Sequence, residues 1–276
     1  MTATARRVGG VVSVLAVGAI ALAGCGGGDP SREEARPARL NLALTEPSPG
    51  RLRFLAPKSV PAGPVEINFT NLAQQHHKAQ LWRIVGDHSI AEALRSRLSP
   101  IPDWLLVAGG SGTAQAGGMS SAVQRLRPGT YLIADTPENR AAAPLRVTAR
   151  AAPGKLPKAS ATITADDYYF RISGIEAGRR SVTFRNVGTE PHHAFLTPLR
   201  GRARLGDVLQ FLKRRSGIPP VDADRSQETA ILGGGQRQVA QLDLAPGRYA
   251  LLCFVRNRKG GPRHLDRGMV GELAVR

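Results

Sequence analysis

The 276-residue chain is poor in the residues that bind metals and form cross-links: two cysteines, six histidines and three methionines. Two cysteines exclude a disulfide scaffold. Acids are also scarce, 21 Asp and Glu against 38 Lys and Arg, so the formal net charge is +17. Such a balance favours anionic surfaces, but no basic stretch is interleaved with aromatics, which make up only 5% of the chain, and nucleic acid is not expected as a partner. No Ser-His-Asp arrangement, suitably spaced carboxylate pair, phosphate-cradling Gly-rich loop or dinucleotide fingerprint occurs. The adjacent pairs Glu33-Glu34 and Asp166-Asp167 carry no catalytic weight. The chain is therefore expected not to be an enzyme. The longest apolar run, Val8 to Ala23, falls short of the roughly 18 residues that read as a membrane span.

That run is preceded by Arg6 and Arg7 and ends at Leu22-Ala23-Gly24-Cys25. It has the layout of a secretory signal, and its end resembles the lipobox of bacterial lipoproteins. The resemblance implies a signal peptide over residues 1–24, a lipid on Cys25 and a location outside the cytoplasm, anchored to the membrane. Removing Arg6 and Arg7, with no acid before Cys25, still leaves +15. Residues 25–39, rich in Gly, Pro and charge, read as a flexible tether. With Cys25 spent, Cys253 is the one thiol of the mature chain. It is either buried and inert or held for its chemistry.

The remainder repeats itself. Residues 61–84 align with residues 176–199 on Asn71 and Asn186. Val65, Ile67 and Phe69 match Arg180, Val182 and Phe184 with period-two alternation, the mark of half-buried strands. A histidine follows each Asn at the same offset, His77 and His192. Each half then offers a short amphipathic helix, over 89–98 and 205–215, a proline break and a Gly-rich turn at Gly109-Gly110 or Gly233-Gly234-Gly235. Each ends in a Pro-Gly-x-Tyr turn leading into a strand, at Pro128 and Pro246. The expected organisation is one sandwich over 40–150, a linker over 151–158 and a second sandwich over 159–276.

The last stretch, Tyr249 to Arg276, holds Cys253, His264 and Met269, and thiolate, imidazole and thioether together suit copper better than a hard cation. Tyr249, Leu251 and Cys253 share one strand face. In the matching strand of the first half His77, Ala79 and Leu81 form the apolar face and His76, Lys78 and Gln80 the polar one, so His192, Ala194 and Leu196 are expected to face inward. His193 is expected to face outward beside Phe195, with His193 in reserve as a ligand. The position matching Cys253, counted from Tyr131, is Asp135, and no His or Met follows it in that half. The first copy is expected to carry no metal site.

Each half resembles a cupredoxin domain, the Greek-key sandwich of plastocyanin and amicyanin, on Asn186-Val187-Gly188 leading to Pro191-His192 and on His264 and Met269 with four residues between them in the closing loop. The resemblance implies an all-β fold of two tandem cupredoxin-like Greek-key β-sandwiches, each with a short helical insertion. It further implies one copper held by His192, Cys253, His264 and Met269, one-electron transfer, and His264 as the solvent-facing ligand through which electrons pass. The ten residues between Cys253 and His264 depart from the family's much shorter loop and put delivery of His264 in question. Multicopper oxidases also combine such domains, but their extra His-rich motifs are missing here. A metal-free envelope binding module and a copper chaperone or store are the other readings. Arg256, Arg258, Lys259, Arg263 and Arg267 would ring the site and steer an acidic redox partner or an anionic envelope polymer.

Overall fold

The computed structural model describes residues 36–96, 100–135 and 141–276. The signal over 1–24 and its lipidation residue Cys25 lie outside the described residues, as does the tether up to residue 35. Eight strands and one helix fill the first half: β1 Ala38–Ser48, β2 Arg51–Leu55, β3 Ser59–Asn71, β4 His77–Ile84, α1 Ile90–Arg95, β5 Leu105–Ala114, β6 Met119–Leu126, β7 Gly129–Ala134 and β8 Ala142–Ala151. The second half has β9 Ala161–Asp166, β10 Tyr169–Ser173, β11 Gly178–Asn186, β12 Phe195–Pro198, α2 Leu205–Arg214, β13 Gln227–Glu228, β14 Arg237–Leu244, β15 Gly247–Leu252, β16 Arg256–Asn257, β17 Gly260–Arg263 and β18 Val270–Val275. The fold is all-β, with two short helices inserted at matching places.

The repeat is visible in the strand pairing. In the first half β1 runs parallel to β3, with Leu42 opposite Phe69, and in the second β9 runs parallel to β11, with Ile163 opposite Phe184. Likewise β4 pairs antiparallel with β7, Leu81 opposite Ile133, and β12 with β15, Leu196 opposite Leu251. The alternating apolar residues of these strands face each other across each half, so Leu40, Ile67, Phe69, Leu81 and Ile133 build one core. Ile163, Phe184, Leu196, Leu251 and Cys253 build the other. Tyr131 and Tyr249 lock equivalent corners, each hydroxyl donating to a carbonyl four residues earlier, Arg127 and Ala245.

A single sheet passes from one half to the other, because β14 pairs antiparallel with β6 as well as with β11. Gln80 reinforces the junction: its amide nitrogen donates to the Ile231 carbonyl at 3.0 Å and its amide oxygen accepts from Ile231 N at 2.8 Å.

Two local expectations are corrected. Gly109-Gly110 is no turn but part of β5, because a Cβ at Gly110 would lie 2.0 Å from the Ala79 carbonyl oxygen of β4. Only glycine lets the strands approach that closely. The outer face of β4 is not a polar surface either: Gln80 is buried along with Ala79 and Leu81, since the second half covers it.

Candidate metal centre

Three side chains from separate parts of the second half converge at one end of its core. His192 lies in the loop between β11 and β12, Cys253 immediately follows β15, and His264 opens the short 3-10 turn that precedes β18. All three are fully buried, and their ligating atoms lie within 4.8 Å of one another. Cys253 Sγ is 3.8 Å from His192 Nδ1 and 3.6 Å from His264 Nδ1, and the two Nδ1 atoms are 2.9 Å apart.

Each ligand is placed by its backbone. Asn186 arranges the His192 loop: its amide nitrogen donates to the carbonyls of Glu190 and Leu232, and its amide oxygen accepts from Gly188 N. Asn71 holds the first half's loop in the same way, on Gln75 and Ala114 with Ala73 N. The long segment after Cys253 does not wander. It folds back as the hairpin of β16 and β17, His264 N donates to the Val255 carbonyl at 2.8 Å, and Leu265 N donates to the Cys253 carbonyl at 2.9 Å. The doubt over delivery of His264 is removed, because the extra residues pair with each other. Met269 is fully buried in the same core, its carbonyl accepting from Cys253 N at 3.3 Å and its own N–H donating to the His264 carbonyl.

The outer nitrogens of both imidazoles are occupied by acceptors. His192 Nε2 bonds Asp167 Oδ1 at 3.0 Å, and His264 Nε2 bonds Asn257 Oδ1 at 2.8 Å. Burial opposes ionisation of Asp167, yet the Thr189 hydroxyl, the His192 ring and the amides of Thr189 and Glu190 hold its carboxyl well below the ordinary range. A carboxylate and a side-chain carbonyl accept only, so Nε2 of each ring carries the proton. Each Nδ1 is then a lone pair, and the two lone pairs face each other beside the sulfur. Burial lowers the pKa of both rings, His264 to about 4, with the neighbouring imidazoles adding to the shift. Both are therefore neutral, the form that ligates a metal. Burial pushes the Cys253 thiol up to about 12, with the backbone amides of His193 and Val255 pulling the other way.

The donor set fits a transition metal. Bonds of about 2.0 Å to nitrogen and about 2.3 Å to sulfur around a trigonal ion put N and S about 3.7 Å apart, close to both sulfur distances seen. The two rings need to part by about half an ångström from their present contact to meet the same geometry. Two imidazoles with a thiolate, next to a buried methionine, are the set that selects copper among divalent ions.

Other expectations fare differently. His264 is not the solvent-facing ligand: it is fully buried, and the Tyr168 ring packs edge-on against it at 5.4 Å. Tyr168 sits in the tight turn between β9 and β10 at φ 75°, and Arg267 stacks over its ring at 4.9 Å. His193 does not face outward. It is buried, with Nδ1 at 2.5 Å from Glu228 Oε1 and Nε2 accepting from Phe254 N at 2.9 Å, so both nitrogens are engaged away from the ligand cluster. The cationic ring is incomplete as well. Arg258 donates to the carbonyls of Pro102 and Leu105 in the first half, and Arg263 forms a two-pronged pair with Asp266. Arg256, Lys259 and Arg267 are the exposed members. In the first half, His77 Nδ1 meets Asp135 Oδ2 at 2.7 Å, so an imidazole–carboxylate hydrogen bond stands where the second half places His192 and Cys253. Asp167 and Asn257, the acceptors that set the tautomers, were not singled out by sequence; only the adjacency of Asp166-Asp167 drew notice.

No protein-family model and no curated relative matches the chain. Among solved structures, a reduced auracyanin from the photosynthetic bacterium Roseiflexus castenholzii is 22% identical, covering 42% of this chain and 94% of its own, with a TM-score of 0.28. A multicopper oxidase is 13% identical over 86% of this chain and 88% of its own, TM-score 0.24. The fold is cupredoxin-like. A copper-containing nitrite reductase from Thermus scotoductus matches over 86% of this chain and 61% of its own at 14% identity, TM-score 0.23. The expectation that the chain is no enzyme is corrected by these matches: an oxidase and a reductase are among the structures a cupredoxin-like pair of this kind resembles, and the fold is no ground for excluding turnover.

Proposed function

We propose that the second half would hold one copper ion through His192, Cys253 and His264, with the buried Met269 offering a thioether as a further ligand, and that the protein passes single electrons through it. The observation that carries this reading is the pair of buried imidazole lone pairs, 2.9 Å apart beside a buried sulfur. Two lone pairs at that distance repel unless a cation lies between them. A bound copper ion supplies a one-electron couple.

The residues of this chain do the rest. Asp167 and Asn257 fix both ring tautomers, as the outer partners of metal-ligating histidines do. Strand β15 and the hairpin hold Cys253 and His264 in place with backbone hydrogen bonds, so little has to move when the charge of the centre changes. Tyr168 and the Asn257 amide separate His264 from water. Electrons therefore enter and leave across Tyr168, beside the exposed cations Arg256, Lys259 and Arg267, which suits an acidic partner protein. The lipobox-like Cys25 anchors this domain to the outer face of a membrane. Among the described residues no helix is long and apolar enough to cross one.

Titration of the chain from residue 26 onward with Cu(II), followed by visible absorption and electron paramagnetic resonance, tests the reading. One equivalent is expected to give an intense thiolate-to-copper band and a compressed hyperfine splitting, and Cys253→Ser to abolish both. Weak binding that is indifferent to the substitution rules the centre out and leaves a metal-free envelope module.

A further inference from the structure

We propose that the first half, although it lacks the ligand set, positions the thiolate of the second, through Lys78 and Thr113 acting on Glu228 and His193. The role assigned to these residues rests on the copper reading above. Glu228, on β13, is buried where the halves meet. Its Oε1 accepts from Lys78 Nζ of β4 at 2.8 Å and from His193 Nδ1 at 2.5 Å, and its Oε2 accepts from the Thr113 hydroxyl of β5 at 2.6 Å. Burial by itself would raise the pKa of the Glu228 carboxyl, but the Lys78 ammonium and the His193 ring hold it well below the ordinary range. The carboxylate thus stays an acceptor and keeps the proton of His193 on Nδ1.

His193 Nε2 is then left as a lone pair, and it takes the N–H of Phe254 at 2.9 Å. That N–H belongs to the peptide group immediately after Cys253. The other edge of the same group, the Cys253 carbonyl, accepts from Leu265 N, next to ligand His264. The peptide that carries the sulfur is therefore clamped on both edges, one of them by an imidazole whose tautomer is set from the first half. Burying an ion pair is an expensive way to gain stability, and apolar replacements of similar volume usually hold a fold as well or better. A positioning role accounts for its presence here, because the pair reaches from β4 and β5 to the thiolate loop.

The test uses the metal-free full chain in detergent, by nitrogen-resolved NMR of histidine and of the Phe254 amide. The wild type is expected to show His193 as the Nδ1–H tautomer and a protected Phe254 amide. Lys78→Met combined with Glu228→Leu removes charge and acceptor together. It is expected to leave the unfolding midpoint within a few degrees, to let the second His193 tautomer appear, and to speed Phe254 exchange roughly tenfold, the value of one hydrogen bond. Copper loading of the same variant is then expected to shift the thiolate band. A folded double variant with unchanged tautomer and unchanged exchange overturns the proposal. If the double variant does not fold, Thr113→Val is read the same way: a smaller change in the same direction supports the clamp, and none overturns it. These readouts need no metal, so they decide the clamp even if the copper titration fails.

Discussion

The tautomers and protonation states of His192, Cys253 and His264 set how this protein answers to pH. In the metal-free state His264 resists protonation down to about pH 4, whereas an unfolded histidine takes up a proton near pH 6.5. Between those values the unfolded chain binds a proton that the folded chain refuses, so stability present above about pH 6.5 is lost as pH falls toward 4. The slope is about 1.4 kcal/mol per pH unit for one such group, and His192, lowered for the same reason, adds to it. On the alkaline side the sign reverses. The Cys253 thiol keeps its proton up to about pH 12, while an unfolded thiol loses it near 8.5, so stability declines as pH rises past about 8.5. Urea midpoints from pH 4 to 11 are expected to trace a dome whose alkaline limb flattens in Cys253→Ser. A flat acid limb would mean that the buried imidazoles are not neutral.

At the scale of elements, β5 shows what holds the halves in register. A Cβ on Gly112 would lie 2.2 Å from the Glu228 carbonyl oxygen, and its φ of 87° already disfavours any side chain. Gly112→Ala must therefore push β13 away from β5 and disturb the Glu228 hydrogen bonds that both halves share. A loss of about 1–3 kcal/mol is expected in chemical denaturation, with a visible change in the thiolate band on copper loading. A substitution that costs stability and leaves the band untouched would uncouple β13 from the centre. The same strand marks how far sequence could be read. Period-two alternation marked the matching strands, and the aligned Asn71 and Asn186 marked the loops that lead to His77 and His192, because each is local in the chain. What escaped notice depends on contacts between distant segments. β5 is glycine-rich because of β4 and β13, Gln80 looks like an outward residue until the second half covers it, and His193 does until Glu228 and Phe254 engage its ring. The Cys253 to His264 segment looked loose because a hairpin as short as β16 and β17 leaves almost no periodic trace.

For the molecule as a whole, the duplication divides labour between two copies of one sandwich. The first has replaced the thiolate position with Asp135 and filled the place of a ligand contact with the His77 to Asp135 hydrogen bond, which frees β4 and β5 to brace the second. The second carries the His192, Cys253 and His264 cluster, and because His264 is covered by Tyr168, the proposed electron partner would meet the protein at Tyr168 rather than at a bare imidazole edge. With a formal charge of +17 on the full chain, the general field attracts anions everywhere, so total charge alone cannot steer a partner to that face. Local cations must do so, and Arg256 and Lys259 are the two that are exposed without stacking on Tyr168. Reversing both to Glu is expected to slow electron exchange of the copper-loaded protein with hexacyanoferrate roughly tenfold at low salt, and to speed exchange with the cationic hexaammineruthenium couple. Both differences are expected to shrink as ionic strength passes about 0.15 M, where the screening length falls to about 8 Å. Stopped-flow rates across a salt series measure this directly. Equal slowing of both reagents would point to a disturbed centre, and unchanged rates would place the electron path on another face of the second sandwich.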